Sequence, residues 1–137
     1  MLHINGSCHC GYITYTAEVD PEAVTVCHCI DCQVMTGTAF RTTVPATKDN
    51  FKLLSGEPAV YIKTTAESGN PRAQAFCPKC GTPIYATSPT DPQVYGLRTG
   101  TAMQRSQLAP RKQIWMRSAL SWIMGLATMA NKAQKQT

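Results

Sequence analysis

Cys77-Pro78-Lys79-Cys80-Gly81 is the stretch that decides how this chain folds. Two residues between the cysteines let the backbone curl until both sulfurs reach one ion, and Gly81 can take the left-handed conformation such a turn needs. This is a zinc knuckle, and it supplies only two of the four ligands of a tetrahedral structural site. Cys8-His9-Cys10 can furnish the other two, because alternate residues of an extended segment point to one face, and the flanking Gly6 and Gly11 let the backbone bend around the ion. The chain has seven cysteines, so three remain, all within Cys27-His28-Cys29-Ile30-Asp31-Cys32. Three protein ligands on zinc mark an open site whose fourth position takes water or substrate. Two alternatives stay open from spacing alone: a closed Cys3His site that recruits His28 or His9, or an exchange in which the second and third clusters share one zinc. His28 sits between two ligands on an extended stretch and is expected to point away from the metal.

The rest of the chain agrees with a small zinc-organised domain. Seven is an odd number for a disulfide framework, cysteines this close pair poorly within a cluster, and Met1-Leu2-His3-Ile4-Asn5-Gly6 resembles no leader peptide. A soluble protein of the reducing cytoplasm is therefore expected, and no window is apolar enough for a membrane helix. At 137 residues the chain is expected to form one domain, able to bury a real core. Charged residues make up only 15%, and 17 threonines favour pleated structure. The net charge of +5 is unevenly placed: residues 1–100 carry seven Lys/Arg against eight Asp/Glu, whereas residues 101–137 carry six against none. Only Trp115 and Trp122 accompany that basic end, too few aromatics for a nucleic-acid surface, so residues 126–137 are expected to form a solvated basic tail behind a zinc-binding domain of residues 1–125.

Periodicity points to strands. Ile13, Tyr15, Ala17 and Val19 alternate with polar neighbours, and extended runs are expected over 23–26, 40–44 with a stop at Pro45, 51–54, 59–65, 72–76, 82–87 and 93–99. Asp31 is the expected cap of a short helix ending at Gly37, which would set the second cysteine cluster at a helix start where thiolates are favoured. Trp115, Ala119, Trp122, Leu126 and Met129 fit a helical stripe equally as well as two tryptophans plugging the sheet.

Three stretches together resemble the glutathione-dependent formaldehyde-activating enzyme family: Gly6-Ser7-Cys8-His9-Cys10-Gly11; Cys27-His28-Cys29 and Cys32 with Thr36-Gly37 and Phe40 behind them; and Phe76-Cys77-Pro78-Lys79-Cys80-Gly81-Thr82-Pro83. The likeness extends from about residue 4 to about residue 124, through Ile114, Trp115, Ser118 and Trp122. It implies a mainly β, Mss4-like β-tent of small antiparallel sheets organised around zinc, with short helical segments. It also implies two zinc ions, one structural on Cys8, Cys10, Cys77 and Cys80, one catalytic and more labile on Cys27, Cys29 and Cys32. The implied activity is that of a carbon–sulfur lyase joining glutathione to formaldehyde. Where many relatives carry an acidic stretch after the last core strand, this chain reads Gly100-Thr101-Ala102-Met103-Gln104-Arg105.

Zinc deprotonates a thiol that binds it, so the open site would hold glutathione sulfur ready to add to a carbonyl carbon. The two glutathione carboxylates call for cations, and Arg41, next to Phe40, is the first candidate, with Lys63 and Arg98 behind it. Asp31 and His28 lie nearest for proton transfer, with a helix cap and a supporting group as their plainer roles. A zinc-stabilised binding module, or a glutathione carrier without catalysis, is the alternative function.

Overall fold

The structure, a computed structural model, describes residues 1–130. Its fold is mainly β, as expected, with ten strands in two sheets. The smaller sheet orders β1 (Leu2–Ser7), β2 (Thr14–Val19) and β5 (Phe51–Ser55) side by side. The larger holds β3 (Thr25–Cys27), β4 (Arg41–Thr47), β6 (Ala59–Lys63), β7 (Arg72–Phe76), β8 (Pro83–Thr87), β9 (Val94–Arg98) and β10 (Lys112–Ile114), in the order β10-β3-β4-β9-β8-β7-β6. All pairings in this larger sheet are antiparallel except that of β10 with β3, which is parallel.

The alternation of Ile13, Tyr15, Ala17 and Val19 is the buried face of β2 and its approach, and it packs on Val44, Ala46 and Leu97 of the larger sheet. Phe51 rivets the two sheets, with ring centroids 5.5 Å from Tyr15, 5.5 Å from Tyr85 and 4.8 Å from Tyr95. Aromatic contacts of this kind add to plain area burial. Gly6 lies where the chain passes directly over the Tyr15 ring, and a Cβ there would overlap Tyr15 Cε1 and Cζ. Tyr15 is buried and its hydroxyl is held by Thr101 Oγ1 at 2.7 Å, so the ring has no room to retreat. Gly6→Ala is expected to cost about 1–3 kcal/mol by overpacking, read as a lower urea midpoint at unchanged slope.

Three local expectations are corrected. β4 runs through Pro45 to Thr47, because β3 begins only at Thr25, opposite Thr43, and only β9 accompanies Pro45, where a missing N–H is tolerated. The cap of helix α1 (Ile30–Thr36) is Cys29, whose Sγ accepts from the Cys32 amide at 3.3 Å; Asp31 lies inside the first turn. Gly37 does close the helix, in the left-handed conformation. Residues 116–118 and 121–128 form 3-10 turns that leave Trp122, Met124 and Leu126 exposed, so the C-terminal stretch is neither an apolar helical stripe nor a plug in the sheet. Of the basic tail, residues 131–137, with Lys132 and Lys135, lie outside the described residues.

Candidate functional site

The seven cysteines gather into two groups, Cys8, Cys10, Cys77 and Cys80 in one and Cys27, Cys29 and Cys32 in the other, each with all sulfurs within 4.8 Å of one another. The exchanged pairing is thereby excluded. Cys77 and Cys80 occupy the turn from β7 to β8, where Gly81, at φ +78°, donates its amide to Cys77 O at 2.8 Å. The amides of Lys79 and Cys80 both point at Cys77 Sγ, at 3.4 Å each. Cys8 and Cys10 belong to a tight turn, closed by Gly11 N–H to Cys8 O at 3.2 Å, and not to the extended segment expected. The sulfurs converge because the turn folds back: Ile13 N–H reaches Cys8 Sγ at 3.2 Å. Thr82 Oγ1 joins the two turns, contacting Cys80 Sγ at 3.2 Å and accepting from the His9 amide at 3.1 Å.

The sulfur spacings test whether an ion fits. A tetrahedron with metal–sulfur bonds of about 2.3 Å has edges of about 3.8 Å, and the Cys8–Cys10 and Cys10–Cys77 separations are 3.6 and 3.8 Å. Without a cation these thiols cannot all ionise. Cys10 is pushed up to about 11, although the Tyr12 amide pulls the other way, by desolvation and by the Cys8 and Cys80 sulfurs, while Cys80 is drawn down to about 5, first by hydrogen bonds from Thr82. One thiol keeps the proton so that its neighbour can release one, which is the condition a bound metal relieves.

The second group stands at the junction of β3 and α1, and its three cysteines are each half-buried. It repeats the same division: Cys27 is pushed upward by Cys32 and by burial, and Cys32 is drawn down to about 5, first by Cys27, then against burial by Cys29 and Arg41. His28 does point away, as expected. Its ring is buried, Nε2 lies 2.7 Å from Gln113 Oε1, and Phe40 packs at 5.8 Å between centroids. Neither His28 nor His9 joins a cysteine group, so the second group has three protein ligands among the described residues. The C-terminal stretch braces it: His28 N–H bonds Ile114 O at 3.1 Å, and Gln33 Nε2 donates to both His28 O and Ser118 O at 2.9 Å.

A cavity of about 450 Å³ opens beside Cys27 and Cys32. Arg41, Lys63, Arg72, Arg98 and Lys112 line it, together with the polar Gln74. Arg41 is buried and also borders a second cavity with Phe40, Thr42 and Thr82. Arg98 donates to Gln74 Oε1 at 2.8 Å and Thr43 Oγ1 at 3.2 Å; burial first, then Arg41 and Arg72 alongside, pulls its guanidinium down to about 9, still charged at neutral pH. Cys29 instead faces another cavity, of about 520 Å³, walled by Asp31, Lys63, Glu67, Trp115 and Arg117. Asp31 is engaged there: Lys63 Nζ is 3.0 Å away and Thr65 donates at 2.7 Å, and these partners hold its carboxyl below the usual range.

Arg41, Lys63 and Arg98, expected from sequence, are thus brought together beside the three-sulfur group, whereas Phe40 packs on His28 and lines only the second cavity. Arg72, Gln74 and Lys112 were invisible to local reading because they enter from β7 and β10. A signal existed in β7, where Arg72 and Gln74 alternate with the small buried Ala73 and Ala75, marking one polar and one core face.

A family model described as glutathione-dependent formaldehyde-activating enzyme matches residues 3–118. Among solved structures, a crystal structure of a Rhodobacter sphaeroides protein, a structural-genomics target, superposes with a TM-score of 0.61 at 17% identity, covering 80% of this chain and 98% of that one. At that identity the likeness concerns the fold.

Proposed function

The chain belongs to the glutathione-dependent formaldehyde-activating enzyme family, and we propose accordingly that it joins a small anionic thiol, glutathione in the first instance, to formaldehyde or another small aldehyde. The observation that carries this reading is the three-sulfur group, one ligand short of a tetrahedron, opening onto a cavity lined with cations. In this reading Cys8, Cys10, Cys77 and Cys80 hold a structural zinc, and Cys27, Cys29 and Cys32 hold a second, more labile one. Zinc, when bound at the second group, supplies a soft cation that keeps an incoming thiol deprotonated at neutral pH.

The chain's own residues do the rest. Cys29 fixes the start of α1 through the Cys32 amide, so the three sulfurs keep their mutual geometry before any ligand arrives. Arg41, buried against Cys32, is placed to take one carboxylate of the thiol in a bidentate pair, with Phe40 as its apolar neighbour from the adjoining cavity. Holding sulfur and aldehyde together lowers the entropic part of the barrier. The sulfur lone pair forms the new carbon–sulfur bond, the carbonyl π pair moves to oxygen, and that oxygen takes up a proton equivalent to the one the thiol gave up. This is carbon–sulfur lyase chemistry run in the direction of addition.

Among the described residues no helix is long and apolar enough to cross a membrane; a reducing compartment such as the cytoplasm is proposed because seven free thiols persist there. Cys32→Ser tests the site. It is expected to keep one tightly bound zinc per chain and to weaken glutathione binding by at least roughly tenfold in calorimetry, because a hydroxyl is a much poorer zinc ligand than a thiolate. Unchanged glutathione affinity in a variant with one zinc would remove the second group from the mechanism.

A further inference from the structure

The cavity beside Cys27 and Cys32 carries more positive charge than glutathione can answer. Five cationic side chains line it and no Asp or Glu does. Lys63 has Asp31 as partner; among the described residues, no carboxylate lies within 4.0 Å of Arg41, Arg72, Arg98 or Lys112. Three thiolates around a divalent ion carry one net negative charge, so five cations set against that charge and Asp31 leave three positive charges unanswered. Arg98 sharpens the point, since its Nε is buried with no hydrogen-bond partner among the described residues while its two terminal nitrogens are engaged by Gln74 and Thr43. Arg41 is buried as well, beside the Cys32 sulfur and with no carboxylate partner among the described residues, and buried guanidiniums are stabilised by each further anion that a ligand brings.

The cations come from one face of the larger sheet. Thr43 is paired with Arg98 across β4 and β9, and Lys63 with Arg72 across β6 and β7, while the short Ala86 of β8 lies between and lets Arg98 reach Gln74. Arg41 and Thr43 share a face of β4, as Arg72 and Gln74 share a face of β7. The charge is therefore built into the strand order, with the guanidiniums held by the sheet and not by mobile loops. Glutathione brings two carboxylates but also an α-ammonium, for which this cavity offers no acidic partner.

We infer that the cavity selects small thiols carrying at least two carboxylate or phosphate charges and no free ammonium, with Arg72 and Arg98 as specificity-determining residues beyond Arg41. The inference rests on the proposed binding of a thiol at the three-sulfur group. Zinc-loaded protein is titrated calorimetrically with glutathione, N-acetylglutathione, mercaptosuccinate, 4′-phosphopantetheine, 2-mercaptoethanol and cysteamine. N-acetylglutathione is expected to bind more tightly than glutathione, and mercaptosuccinate at least roughly tenfold more tightly than 2-mercaptoethanol, with cysteamine weakest, since one charge-assisted hydrogen bond changes affinity by about a decade. The relative affinities of mercaptosuccinate and 4′-phosphopantetheine tell carboxylate from phosphate preference.

Arg72→Gln supplies the second arm. It is expected to leave the melting temperature unchanged or raised, because a like-charge neighbour of Arg98 is removed, while weakening mercaptosuccinate far more than 2-mercaptoethanol. Equal affinities for charged and neutral thiols, or an equal loss of both in Arg72→Gln, would overturn the inference and leave thiol binding at the metal standing. Failure of every thiol to bind would overturn both.

Discussion

Cys77→Ser is expected to leave the chain largely unfolded under conditions where Cys29→Ser remains folded. Cys77 is fully buried, and its sulfur receives two backbone amides, closes the turn between β7 and β8, and lies 3.8 Å from Cys10 Sγ. The four-sulfur group thereby ties the loop after β1 to the distant β7–β8 hairpin, a connection no other cluster of metal-ligating side chains duplicates among the described residues. Apparent zinc-binding energies at structural sites are about 10–16 kcal/mol near neutral pH, as large as the whole stability of a typical domain, about 5–15 kcal/mol. Losing a ligand there forfeits a large share of what keeps the fold. Cys29 is different. It is half-buried at the start of a seven-residue helix, and a serine hydroxyl caps the Cys32 amide as well as its sulfur does. Circular dichroism and zinc content of the two variants, measured side by side, check this; equal loss of structure in both would reverse the assignment of structural and open groups.

The cysteine clusters were legible in the sequence because their members come in tight local runs whose spacing survives any fold. Residues 77 and 80 announce a knuckle by themselves, whereas spacing left two clusters able to complete it, and it is the fold that brings 8 and 10 alongside and leaves 27, 29 and 32 as a group. Local geometry was less legible. Cys8 and Cys10 converge through a turn and not through strand alternation, since Gly11 and Ile13 supply hydrogen bonds that two-residue spacing does not encode. Asp31, a good cap by residue type, gives way to Cys29, because the chain leaves β3 in an extended conformation that ends at Cys29 and because Lys63 and Thr65 occupy the carboxylate. Pro45 reads as a stop only until the order of strands shows that one of its sides has no neighbour. The cationic cavity was half visible: Arg41, with Lys63 and Arg98 behind it, is a candidate by residue type and place along the chain, whereas Arg72 reaches the cavity only through the order β4-β9-β8-β7 and Lys112 only through the pairing of β10 with β3. Long-range pairing of this sort leaves no mark within a short window of sequence.

The second large effect concerns the sulfur of the ligand. If the thiol completes the three-sulfur group, its proton must leave, and methylation of the same sulfur removes the thiolate while preserving both carboxylates and the overall size. Glutathione is therefore expected to bind zinc-loaded protein with release of close to one proton per molecule below its thiol pKa, shown by enthalpies that vary with the ionisation heat of the buffer, and to bind more tightly as pH rises toward that pKa. S-methylglutathione is expected to bind at least roughly a hundredfold more weakly, the loss of a metal–thiolate bond being worth more than a single charge-assisted hydrogen bond. Calorimetric titration of both ligands into the same zinc-loaded sample, in two buffers of unlike ionisation heat, is the most direct measurement of the central claim. A tight, proton-releasing isotherm for glutathione beside a near-blank for S-methylglutathione is the predicted result; equal affinity for the two, with no proton released, would place the sulfur off the metal and contradict it.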